Sequence, residues 1–139
     1  MDIVSINYSV ADGSFREKVA KLASVMLEGE QLPAPVSHHF APGIYLREIF
    51  MPAGATVVGK IHRTEHLNIL VKGACVIVHD DFTREELRAP MVFVSKPGVQ
   101  KVLYILEDMI WMTPHVTPET DLVKLEAELI EPLLLEKLT

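Results

Sequence analysis

The sequence predicts a mainly β fold: a single antiparallel barrel flanked by an N-terminal helix and C-terminal helices. Three observations carry this reading. Short β-rich runs alternate with turn signals from Gly43 to about Val116, the texture of a sandwich or barrel. No helical segment interrupts those runs, which argues against a parallel α/β sheet. Helical periodicity is confined to the two flanks.

Taken in order, Ser14 to Glu28 (SFREKVAKLASVMLE) places Val19, Leu22, Val25 and Met26 at helical spacing, the mark of an amphipathic helix. Ser14 suits its start, Glu17 completes a capping box, and Gly29 suits its stop. The connector QLPAPVSHHFAPG is too rich in proline for a regular helix or a central strand. The barrel runs then read GIYLREIFM, the turn PAG, ATVVGKI, LNILVK, Gly73, ACVIV, the turn HDD, LRAP, MVFVS, the turn KPG, QKVLYIL and DMIWMTPHV, about eight strands. After His115 the segment VTPETDLVKLEAELIEPLLLEKL is helical, with Thr117 or Thr120 as cap, Pro118 in the first turn, and Leu122, Leu125 and Ile130 on an apolar stripe. Pro132 kinks or ends that helix and leaves LLLEKL as a second short piece. The expected organisation is one folded domain: helix and connector over 1–42, barrel over 43–116, helical segment over 117–139.

Composition narrows the function classes. A chain of 139 residues, 49% hydrophobic and 23% charged, suits one globular domain. The net charge of -6, without a Lys/Arg cluster, argues against nucleic-acid binding. The longest apolar stretches fall short of a membrane span, the N-terminus lacks a signal-peptide pattern, and the single cysteine, Cys75, has no internal disulfide partner. A cytoplasmic protein is expected.

The histidines carry the chemistry. In an extended chain successive side chains alternate between faces, so His62 and His66 share a face, and an inward His66 brings Asn68 and Leu70 inward too. That is a polar entrance above an apolar floor, as a small-ligand pocket requires. Trp111, Thr113 and His115 share a face of the last strand, so His115 can approach the same mouth. Three neutral imidazoles can hold a divalent cation such as Zn, Fe, Ni or Mn, with Glu48 or Glu107 orienting a ring or completing the site. The same rings can equally serve as hydrogen-bonding walls of a metal-free pocket. Tyr45 and Arg47 share a face of the first barrel strand and are candidate lining residues. His38 and His39 lie in the connector and read as solvated or edge-packed, His79 as part of a hairpin turn, and Cys75 as a small buried hydrophobe. No nucleophile elbow or phosphate-cradling loop is present, and no residue is assigned as catalytic.

The segment PAGATVVGKIHRTEHLNILVKGACVIV resembles the first motif of the cupin superfamily, with Pro52, Gly54 and Gly73 at the turn and closing positions. VFVSKPGVQKVLYIL resembles the second, with Pro97 and Gly98 at its turn. The resemblance implies a double-stranded β-helix, or jelly-roll, barrel. On it His62 stands at the second histidine position and His66 at the carboxylate position, while Lys60 and Lys101 replace the first and last histidines. HHFAPGIYLREI and the EHLNILVKG run further resemble small cupin-like proteins of tailed phages, which would place the chain in a host cytoplasm. If Lys60 and Lys101 face inward beside His62 and His66, the pocket is electropositive and suits an anionic ligand. Three readings stay open: capture of a small, anionic ligand at a degenerate metal site; a metal-dependent oxygenase, isomerase or hydrolase using His62, His66 and His115; and an oligomeric phage accessory protein. A homodimer is expected, with the apolar LLLEKL as a contact surface.

Overall fold

The computed structural model describes residues 15–131. The chain runs α1 (Phe15–Leu27), β1 (Val36–Ala41), β2 (Ile44–Met51), β3 (Thr56–Val58), β4 (Ile61–His62), β5 (His66–Val78), β6 (Arg84–Arg88), β7 (Met91–Ser95), β8 (Val102–Val116), α2 (Leu122–Leu129) and β9 (Ile130–Glu131). The Ser14 end of the capping box and the LLLEKL piece lie outside the described residues.

Two long, bent strands organise the barrel. The first half of β5 pairs with β7 and with the second half of β8, which in turn pairs with β2 and then β1. The second half of β5 pairs with β6 and with the first half of β8, which also holds β3. Each long strand therefore contributes to two sheet layers, and all the pairings are antiparallel. The bend requires Gly73. Its φ is +93°, and a Cβ there would sit 2.3 Å from the Asp108 carbonyl oxygen and 2.7 Å from Met109 Cα. No L side chain fits such a crossing.

Several expectations need correction here. Gly73 bends one strand instead of separating LNILVK from ACVIV, and QKVLYIL and DMIWMTPHV likewise merge into β8. Part of the Pro-rich connector, Val36–Ala41, is an edge strand paired with β2, so the sheet begins before Gly43. Edge placement is where flanking prolines are tolerated. Val25 is 53% exposed, outside the apolar stripe of α1. The cap of α2 is Asp121, whose side chain accepts from the backbone N–H groups of Val123 and Lys124. Thr117 instead donates to Glu128, and Ile130 leaves the helix for β9.

The core lies between the layers around Met51, Leu70, Ile77, Ile105, Met109 and Trp111. Helix α1 seals one end, with Phe15, Val19 and Leu22 packed on Val78 and Val102. Helix α2 covers the other, with Leu125 and Leu129 against Tyr45. The outer faces of the layers contrast. Around β6 the surface carries Arg84, Glu86, Arg88 and Glu107, all exposed, whereas across β2, β8, β5 and β7 it carries Ile44, Met112, Leu67, Val71, Val92 and Val94.

Candidate functional site

The inward faces of β2, β8, β5 and β7 form successive rungs. Register aligns Tyr45 with His115, Arg47 with Thr113, Ile49 with Trp111, and Met51 with Met109. On the neighbouring pair His66 faces Ser95, Asn68 faces Phe93, and Leu70 faces Met91. Strand alternation thus converts a local sequence pattern into a gradient along the barrel, polar near α2 and apolar near Met51. These walls enclose a cavity of about 450 Å³, which Leu122, Leu125, Glu126 and Leu129 of α2 also line.

The three histidines meet. Ring centroids are 4.0 Å apart for His62–His66, 5.3 Å for His62–His115 and 5.7 Å for His66–His115. His66 and His115 come from regular strands, but His62 is held by other means. Its two-residue strand pairs with β9, aligning His62 with Ile130. Its carbonyl accepts from Gly98 N–H, and the next amide, Arg63 N–H, donates to Leu129 O. The C-terminal segment therefore positions one wall of the pocket.

His66 Nδ1 lies 3.0 Å from the Thr64 carbonyl oxygen. A carbonyl only accepts, so Nδ1 carries the proton and Nε2 is left as an acceptor. His115 Nδ1 is buried with no hydrogen-bond partner among the described residues. Burial first, then the neighbouring His66, His115, Lys101 and Arg47, push His62 down to about 3. Burial, with His66 and Arg47, pushes His115 down to about 4. His66 is lowered mainly by burial. All three rings are neutral near pH 7.

Two cations stand beside them. Arg47 is half-buried on the pocket wall, and no carboxylate among the described residues forms an ion pair or hydrogen bond with it. Burial lowers its pKa, an effect that Tyr45 and Glu126 only partly oppose. Glu126 is instead engaged by Lys60, Nζ to Oε1 at 2.8 Å. Lys101 Nζ donates to Ser95 Oγ and lies 5.5 Å from the Phe93 ring centroid. Burial pushes it down to about 8. Ser95 Oγ also accepts from Asn68 Nδ2 at 2.8 Å, and Asn68 Oδ1 accepts from Trp111 Nε1 at 3.0 Å. This chain fixes Lys101 and Trp111 on one wall.

Most of the expected lining residues thus come together: Tyr45, Arg47, His62, His66, Lys101 and His115. Lys60 also lines the cavity, at its exposed rim, where its Nζ donates to Glu126 Oε1. Glu48 and Glu107 do not serve the histidines. They face outward and pair with His39 and Arg88. His38, expected to be solvated or edge-packed, lines the cavity and has Nδ1 2.7 Å from Tyr45 Oη. The α2 residues and Ser95 have no local signal in the sequence, since only the register and the returning chain bring them here.

A resident metal, as the cupin resemblance implies, would fall among these donors. Among the described residues no group of three or more His, Cys, Asp or Glu side chains is arranged to hold one. The histidine rings lie against one another at interplanar angles of 42°, 21° and 43°, and Lys101 and Arg47 add positive charge beside them. The arrangement of these described side chains does not fit a metal.

The bent layers, the closing glycine and the polar mouth define the double-stranded β-helix fold of the cupins. The structure is similar to an RmlC-like cupin family protein from Methanocaldococcus jannaschii, with a TM-score of 0.52 and 11% identity, covering 64% of this chain and 84% of that one. It is similar to a cupin superfamily protein from Desulfitobacterium hafniense, with a TM-score of 0.52 and 10% identity over 68% and 86%. It is also similar to the Schizosaccharomyces pombe Cnp3 cupin domain, with a TM-score of 0.51 and 17% identity over 73% and 76%. No protein-family model and no curated protein sequence matches the chain. Among the described residues no helix is long and apolar enough to cross a membrane.

Proposed function

We propose that the barrel pocket binds a small anionic molecule through Arg47, with Lys101 and the neutral histidines as further donors and acceptors. The carrying observation is Arg47: a guanidinium on the pocket wall, partly desolvated, with no ion-paired carboxylate among the described residues. An unpaired charge in such a place costs stability, and a carboxylate or phosphate that accepts two parallel hydrogen bonds from it offsets that cost. The unpartnered His115 Nδ1 and the free Nε2 of His66 add polar sites around the same head group. Isothermal titration with inorganic phosphate, hexanoate and 1-hexanol tests this reading. Binding of at least one anion in preference to the alcohol is expected. No binding of either anion, or neither anion preferred to hexanol, overturns it.

A second observation favours a homodimer. The outer face of β2, β8, β5 and β7 is apolar where an exposed antiparallel layer is usually polar, with Val92 62%, Val94 51%, Val71 48% and Leu67 45% exposed. Four strands with three alternate residues each cover roughly 400 Å² in projection, a contiguous apolar patch of the kind that is often functional. Glu48, paired with His39, and Lys72 lie on this face too, and the apolar side chains between them suit a second copy meeting it face to face. Light scattering is expected to give twice the chain mass, falling to one for Val92→Glu. A wild-type protein that stays monomeric at high concentration contradicts this.

A further inference from the structure

Resting on the anionic reading, we infer that the ligand is amphipathic: a carboxylate head joined to an unbranched or slender apolar body that points toward Met51. The inference follows from the order of the rungs. Below Arg47 and Thr113 the wall becomes Ile49 and Trp111, then Met51 and Met109. Val57 on β3 and Leu103 on β8, which are register partners, close the same end of the cavity. The Trp111 indole N–H at that end is already spent on Asn68.

A ligand that is polar throughout, such as a sugar or inorganic phosphate, would leave its outer hydroxyls or oxygens unpaired against these side chains. Each unpaired group costs binding free energy. A hydrocarbon body instead gains from leaving water. The head belongs beside Arg47 because that rung separates the apolar floor from the helix α2 cover, where Leu125 and Leu129 pack on Tyr45. Glu126, the acidic group nearest the mouth, is tied to Lys60 and stands on the side away from the floor.

The test is calorimetric titration with butyrate, hexanoate and octanoate, with inorganic phosphate and 1-octanol as controls. Affinity is expected to rise about fourfold per added CH₂, the factor corresponding to ~0.8 kcal/mol per buried methylene. Val57→Phe, which adds bulk to the floor, is expected to bind butyrate like wild type but to lose the gain from hexanoate to octanoate. Arg47→Gln is expected to bind octanoate no better than 1-octanol. Anions that bind with an affinity independent of chain length overturn the amphipathic ligand while leaving the anion site intact. A chain-length dependence unaffected by Val57→Phe overturns the floor as its seat. Failure of every anion, or equal wild-type binding of octanol and octanoate, removes the anion reading itself.

Discussion

Replacing Arg47 by Met is expected to weaken anion binding about 100-fold, from a loss of ~3 kcal/mol, and to leave the fold as stable as before or more so. The two effects have one cause. In the unliganded protein the guanidinium has given up part of its hydration without gaining a carboxylate, and burial depresses its pKa for that reason. Met has similar length and no charge, and the next rung below it, Ile49 with Trp111, is apolar. Exchanging a partly buried charge, disfavoured by burial more than its neighbours favour it, for a hydrophobe of similar volume is commonly neutral or stabilising, here by up to about 1 kcal/mol. Residues kept for function rather than for the fold show this opposition of stability and activity. Urea unfolding and anion titration on the same variant check it. Loss of stability together with unchanged binding would make Arg47 a structural residue.

Acidification is expected to destabilise the protein through the histidine cluster. His62 and His115 have folded pKa values of about 3 and about 4, against an ordinary 6.5. In the unfolded chain both take up protons as pH falls through 6.5, whereas in the fold they stay neutral until about 4 or below. The unfolded state therefore binds more protons in this window. The stability contributed by the neutral rings is fully present above pH 6.5 and is lost progressively as pH falls toward 4. The groups facing the rings strengthen the effect, since His66, Lys101 and Arg47 all oppose a new positive charge on His62. Unfolding free energy near pH 4.5 is expected to be lower than at pH 7 by on the order of 3 kcal/mol, less than the full linkage sum because His62 keeps some solvent contact. The double variant His62→Gln, His115→Gln should flatten this dependence. A wild-type profile that is flat between pH 7 and 4.5 would show that the rings are not desolvated.

Much of the site was legible because strand alternation is a local property. Once HLNIL and WMTPHV are read as strands, His66, Asn68 and Leu70 must share one face, as must Trp111, Thr113 and His115, and the structure buries all six. Tyr45 and Arg47 follow from the same rule on β2. What lies beyond it is set by chain geometry. Gly73 reads as a turn because glycine at positive φ marks turns and bends alike, and only the close approach of Asp108 and Met109 tells them apart. Lys60 reads as inward by counting back from His62 and does reach the cavity, but only at its exposed rim, since the chain between β3 and β4 is irregular there. The α2 cover was visible as a helix, yet its position depends on β9 pairing with β4, a contact between segments far apart in sequence. The missing partner of Arg47 is the least legible feature, since it depends on where every carboxylate in the fold ends up.

The central claim is that an anion seats on Arg47 inside the barrel. A crystal structure of the protein with octanoate tests it most directly. The expected result is a carboxylate bidentate on the Arg47 guanidinium, close to His66 and His115, with the chain running toward Met51. A pocket holding only water while Arg47 has swung out to pair with Glu126, or octanoate bound elsewhere on the surface, would contradict it.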